Sequence, residues 1–205
     1  NKLQLAQQKN DMIEFLHFLV KISNNYYRHP LLYKKIEKIL ELIKNDMKVL
    51  LSETKIFDIF KSNKKLLLFL FEEKIISPNQ TIANTLTSKK YKKLNYLSYF
   101  YPEMKPFIKE KRNKKKHLYG VKQPEDFGHY YNEDKVIFES NRKIGENNDY
   151  ICCLIRNDSV IDFISYATKK SLSLKQNVKS SIFETNKFLI KKSPTLIEYA
   201  TFFGS

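Results

Sequence analysis

Tryptophan is absent from these 205 residues, and glycine is limited to Gly120, Gly128, Gly145 and Gly204. Each glycine is isolated, so no loop of the chain is built to cradle a phosphate through successive backbone N–H groups. Cysteine is confined to the adjacent pair Cys152 and Cys153. That pair offers neither a disulfide framework nor Cys-x-x-Cys spacing, which points to a reducing compartment and away from a zinc or redox site. Arginine is nearly missing as well: Arg28, Arg112, Arg142 and Arg156 are the full set. No apolar run approaches the roughly 18 residues that cross a bilayer. The strongest, Leu66–Phe71, is short, and Phe15–Val20 is interrupted by His17. No sustained period-two pattern of a strand occurs, and no secretory pattern opens the sequence as it stands. The expected setting is intracellular, cytoplasmic in preference to nuclear, with no membrane insertion.

Lysine, by contrast, is everywhere. The formal net charge is +15, and a basic surface attracts nucleic acid through counterion release. Nearly all of that charge is Lys, whereas Arg is the residue suited to bidentate phosphate and base contacts. Abundant Asn, Ile, Phe and Tyr with little Ala and Gly is also what A/T-rich codons impose irrespective of function. The charge is therefore read first as a statement about solubility. With 42% apolar and 14% aromatic residues the chain is not disordered, and its length suffices for a real core.

Helical periodicity dominates. From Leu31 to Leu51, apolar residues recur at Leu32, Ile36, Ile39, Leu40, Ile43, Met47 and Leu50, while lysines fill the other face. Leu3–Ile22 reads as a preceding helix, buried and apolar nearly all round in its second half. Further helices are expected over Pro78–Leu86 and Lys89–Phe100, the latter with Tyr91, Leu94, Leu97 and Tyr101 on one stripe. Two stretches share an outline: Lys55–Phe60 with Leu66–Lys74, and Tyr150–Ile155 with Val160–Tyr166, each a pair of apolar helices joined by a polar turn. Such hairpins cannot bury both faces alone, so they stack. Ser181-Ile182-Phe183-Glu184 has the spacing of a capping box. The expected organisation is an N-terminal helical domain over 1–108, a linker or long loop over 109–142, and an ankyrin-like hairpin with the start of a further repeat over 143–205.

The most specific motif lies at Thr195–Ser205. The ankyrin pattern T-P-L-H-x-A is matched by Thr195, Ile197, Ala200 and, at the helix end, Gly204, with Pro194 displaced ahead of the Thr and Glu198 in place of His. Thr195-x-x-Glu198 is itself a capping box, Ala200 permits close helix contact, and Gly204 suits a left-handed C-terminus. Thr195 is expected to cap a helix whose Ile197 and Ala200 face the hairpin Tyr150–Tyr166, leaving Glu198 and Thr201 open.

Lys143–Asn147, Tyr150–Ser159, Ser181–Asn186 and Pro194–Ser205 together resemble the segment that precedes the ankyrin array in a large protist family of ankyrin-repeat proteins. That family carries an uncharacterised N-terminal domain, a domain of unknown function, ahead of many repeats. The similarity is looser through Ile22–Tyr26, Ile36–Leu40 and Ser62–Lys65, and it leaves 109–141 unplaced. Adjacent Cys152 and Cys153 depart from the single cysteine and following polar residue expected there. The resemblance implies an all-α solenoid of stacked helical hairpins that binds another protein; it supplies no catalytic residue.

Chemistry is otherwise sparse. His17, His29, His117 and His129 are scattered. Glu14-x-x-His17 has the spacing of a di-iron motif but lacks the second copy and further carboxylates such sites need. Cys153 is read as a small packing residue, and no serine sits in a nucleophile-elbow pattern. No catalytic residue, cofactor or metal is expected, and an enzyme is the poorest reading. The alternative to a protein-interaction module is a nucleic-acid or anionic-surface binder using the Lys-rich segments 89–93 and 109–116, above all Lys111, Arg112, Lys114, Lys115 and Lys116. Tyr96, Tyr99, Phe100 and Tyr101 beside the first segment resemble a stacking platform, although helical spacing assigns Leu94, Leu97 and Tyr101 to a core.

Overall fold

The structure, a computed structural model, describes residues 2–26, 30–108 and 129–205. They fold as α1 (Lys2–Asn25), α2 (Pro30–Leu42), α3 (Lys44–Leu50), α4 (Glu53–Phe60), α5 (Lys64–Glu72), α6 (Gln80–Leu86), α7 (Lys89–Lys92), α8 (Tyr96–Tyr99), α9 (Tyr101–Met104) and a 3-10 turn (Lys105–Phe107). After the segment 109–128 come α10 (His129–Glu133), α11 (Lys135–Ile144), α12 (Tyr150–Arg156), α13 (Val160–Lys169), α14 (Lys187–Lys192) and α15 (Leu196–Phe203). The chain is all-α. Among the described residues there is no strand, only an isolated antiparallel bridge between Asn177 and Thr195.

The larger core gathers α1 to α9 around the pair α4–α5, where Ile56, Phe60, Leu66, Leu67 and Leu70 have no exposed surface. Capping sets where α5 begins. Asn63 accepts a hydrogen bond from the Leu66 N–H at 3.0 Å, and its amide donates to Ser23 Oγ and to Asn24 Oδ1, both at 3.0 Å. One side chain thus starts α5 and ties the α4–α5 turn to the end of α1. α1 lays down a single stripe, Leu16, Leu19, Val20 and Ser23, at steps of three and four. Met12, Ile13 and Ile22 pack half-buried against the same core, while Leu3, Phe15 and Phe18 are exposed, so the nearly all-round burial expected from the sequence is not what the helix adopts.

Two expected long helices are divided. The Leu31–Leu51 pattern is interrupted at Ile43 (φ −97°, ψ 7°), although backbone bonds continue on either side of it. Lys89–Phe100 breaks at Asn95, whose left-handed φ of +55° a helix interior does not allow. The expected stripe of Tyr91, Leu94, Leu97 and Tyr101 is nevertheless buried as a set.

A second, smaller cluster joins α12, α14 and α15 through Ile151, Cys152, Leu154, Ile155, Leu189, Leu196 and Tyr199, and Phe163 and Tyr166 of α13 pack half-buried against it. α10 lies within the expected linker over 109–142, and α11 begins within it and runs on to Ile144. Residues 135–142 are helical because Asp134 caps the Ile137 N–H and Gly145, at φ +72°, ends the helix. α11 buries only Phe138 and Arg142.

Candidate functional site

Thr195 stands at the N-cap of α15. Its Oγ1 accepts from the Glu198 N–H at 3.3 Å, and Glu198 Oε2 accepts from the Thr195 N–H at 2.7 Å, closing the capping box. The Thr195 N–H, together with the Thr195 hydroxyl that donates to the same Oε2 at 2.9 Å, holds the Glu198 carboxyl below its ordinary range. Two more N–H groups of the first turn are taken up outside the helix, Leu196 by the Gln176 carbonyl at 2.9 Å and Ile197 by that of Leu174 at 3.1 Å. Gly204 ends α15 at φ +75°, its N–H directed to the Ala200 and Thr201 carbonyls. Ser205 Oγ then donates to the Ile155 carbonyl at 2.7 Å, fastening the end of α15 to α12.

The orientation of α15 differs in part from the expected one. Leu196 and Tyr199 are the residues buried on α12, at 1% exposure each, while Ala200 packs at the margin of that cluster. Ile197 is 53% exposed, because positions N1 and N4 of the helix, rather than N2, turn toward α12. Glu198 and Thr201 are open to solvent. Tyr199 also carries a contact that sequence spacing could not disclose: its hydroxyl accepts from Arg156 Nη1 at 2.9 Å. The same Nη1 donates to the Asn147 carbonyl at 2.7 Å, and Arg156 Nε lies 2.8 Å from Glu146 Oε2. Cys152, not Cys153, is the fully buried cysteine, its thiol pushed up to about 12 by burial.

An apolar groove of about 220 Å³ opens where these helices meet. Leu154 and Ile155 of α12 line it together with Val160 and Phe163 of α13 and Ile197 and Ala200 of α15; its single charged lining residue is Asp158. Beyond it, α13 continues the apolar surface outward. None of its residues is buried, and Val160, Ile161 and Ile164 are 56%, 84% and 59% exposed. Leu174 and Ile197 add two more half-exposed aliphatic side chains beside it.

A polar seam joins the two cores. Lys64, 1% exposed, donates to the Glu184 carbonyl at 3.0 Å and to that of Ile182 at 3.4 Å, with its ammonium 5.3 and 5.1 Å from the Tyr96 and Tyr99 ring centres. Burial drives its pKa down to about 7, opposed by the nearby Glu184 charge. Burial also raises Glu184, whose carboxylate accepts from the Asn147 and Asn186 N–H groups. The capping box expected at Ser181–Glu184 therefore does not form: Glu184 is drawn into the seam, and the next helix starts at Lys187 under an Asn186 cap. Arg142, also buried, pairs through Nη1 with Glu103 at 2.8 Å and through Nη2 with Glu139 at 2.7 Å, while its carbonyl accepts from Tyr99 Oη at 2.8 Å.

Lys89, Lys90, Lys92 and Lys93 are exposed, but Tyr96, Tyr99, Phe100 and Tyr101 are buried and offer no stacking platform to a nucleic acid. Lys111, Arg112, Lys114, Lys115 and Lys116 lie outside the described residues, as do His29 and His117. Glu14 and His17 are exposed on α1, and among the described residues no group of three or more His, Cys, Asp or Glu is placed to hold a metal ion. No described helix is long and apolar enough to cross a membrane.

These features define an all-α protein with a capped terminal helix beside an open apolar groove. Comparison with protein-family models, with curated proteins and with solved structures finds no match.

Proposed function

We propose that this protein is a non-enzymatic protein–protein interaction module of stacked helical hairpins, of the kind that precedes an ankyrin array. The observation that carries this reading is the uncovered aliphatic face of α13 and α15. Val160, Ile161, Ile164, Leu174 and Ile197 are each about half exposed or more, and they adjoin a groove with one charge. Scattered apolar residues on a surface need no explanation, but a contiguous set around a groove is the signature of a protein contact. The capped α15 and the α12–α13 pair are the surface on which a further hairpin or a separate protein packs.

The test is affinity capture with the wild-type chain and with Ile161→Lys/Ile164→Lys. Both positions are solvent-facing, so the variant keeps its helical circular dichroism while the specific partner is lost. A partner set identical for the two proteins would sink the reading. The competing nucleic-acid reading rests on the exposed Lys89–Lys93 segment and on Lys111–Lys116. It predicts micromolar DNA or RNA binding that persists near physiological salt and falls when Lys114, Lys115 and Lys116 become Gln. Binding confined to low salt is generic polycation behaviour and leaves the protein-contact reading in place.

A further inference from the structure

The distribution of lysine gives the groove a chemical preference. Lysine is the default solvent-facing residue of this chain, yet none occurs between Lys143 and Lys169, the longest lysine-free interval, and none follows Lys192. Those two intervals are the ones that supply α12, α13 and α15, and with them every lining residue of the groove except Leu174. The one cation within them, Arg156, is committed to Glu146, Asn147 and Tyr199. The outward-facing residues of these intervals include the aliphatic Val160, Ile161, Ile164 and Ile197, the polar Ser165, Thr168 and Thr201, and the acids Asp158 at the groove, Asp162 one turn further along and Glu198 on α15. On a molecule of net charge +15 this face is an apolar island with a local negative edge.

We infer that the groove takes an amphipathic helix of a partner protein that presents a row of branched aliphatic side chains and basic residues at its flank. The inference rests on the interaction reading above and adds the partner's chemistry. Two helices, α13 and α15, wall the groove over a floor formed by α12, the arrangement that accepts a third helix through residues spaced at i, i+3 or i+4, and i+7. The Val160–Ile161–Ile164 face supplies the complementary apolar row on one side. An acidic-flanked helix would leave Asp158 facing like charge at the mouth, whereas a lysine or arginine there is attracted to it at short range. Rim charges of this kind select among partners more than they add affinity.

The test uses three labelled synthetic peptides of about four helical turns. One has an aliphatic row with lysine flanks, one the same row with glutamate flanks, and one a scrambled order that destroys the row. Binding to the full chain is read by fluorescence anisotropy. The lysine-flanked peptide is expected to bind about tenfold more tightly than the glutamate-flanked one, and the scrambled peptide not measurably. This order is diagnostic because the net charge of +15 would by itself favour the glutamate peptide. Asp158→Asn, which keeps a residue tolerant of the φ of +53° found there, should shrink the difference toward unity. Val160→Lys and Ile197→Lys, both at half-exposed positions, should abolish binding with the melting curve little changed. Equal or tighter binding of the glutamate peptide, still lost in those two variants, overturns the basic-partner inference while leaving the groove as a contact surface. Binding indifferent to both variants overturns the two together. A concentration-dependent dimer in sedimentation, broken by the same variants, would assign the groove to a second copy and also overturn the inference.

Discussion

Lys64 shows how a buried charge makes stability depend on pH. Its ammonium is held by two carbonyls and two tyrosine rings, and desolvation pulls its pKa from 10.5 to about 7. Between those values the unfolded chain holds a proton that the folded chain has released, so stability rises with pH across this window. Below about 7 both states are protonated and the cost of burying the charge stands in full. Lys65 and Lys187, also lowered by burial, act in the same direction. The opposite sense belongs to Cys152 and to the buried hydroxyls of Tyr96, Tyr99 and Tyr199. Their raised values make the unfolded state ionise first, from 9.0 for the thiol and 10.0 for the phenols. The expected outcome is greatest stability near about pH 9, with Lys64→Met flattening the rise from pH 7 to 9. Urea unfolding of both proteins at these pH values checks it; parallel profiles would remove Lys64 as the cause. Nothing in the sequence pointed to this residue. It is one lysine among many, and only the tertiary fold brings residues 182 and 184 onto it.

At the scale of elements, the same short motif succeeds once and fails once. Thr195-x-x-Glu198 starts a helix because Leu196, Tyr199, Ala200 and Phe203 follow at helical spacing with α12 to bury them. Ser181-x-x-Glu184 has the same letters but is followed by Thr185-Asn186, and its parts are used elsewhere. Ser181 Oγ donates to Asn148 Oδ1 at 2.8 Å and accepts from the Phe183 N–H at 3.1 Å, and Glu184 closes on Asn147 and Asn186. α11 is the converse case, a helix that period reading could not find. Its buried positions are one Phe and one Arg four residues apart, while Val136 and Ile137 face outward at 80% and 59% exposure. Only Asp134 and Gly145 signal its ends. For α15 the expected outcomes are a loss of about 1 kcal/mol for Thr195→Ala and roughly 1–3 kcal/mol for Ala200→Leu. The first removes one half of the capping box; the second overpacks the contact with α12. Chemical denaturation of the two variants measures both, and a neutral Ala200→Leu would mean that α15 does not press on α12 as closely as drawn.

At the scale of the molecule, the described residues form two unequal cores joined by a seam of buried polar side chains, and stability is expected to be graded accordingly. α5 contributes five buried apolar residues to the larger core, whereas α13 buries none and meets its surroundings on one face only. Local opening follows buried apolar contact, so amides of α13 are expected to exchange with solvent well before those of α5. The proposed repeat architecture makes a further demand: each hairpin draws stability from the neighbour that covers it. Fusing an ankyrin capping repeat after Ser205 should therefore slow exchange in α13 and α15 and raise the melting temperature, with α4 and α5 unaffected. The readout is hydrogen exchange by mass spectrometry, resolved by segment and compared with the unfused chain. Slowed exchange confined to α13 and α15 would mean that this face accepts a hairpin in the manner of a stacked repeat. Unchanged exchange in a well-folded fusion would exclude repeat stacking and leave the groove to a separate partner.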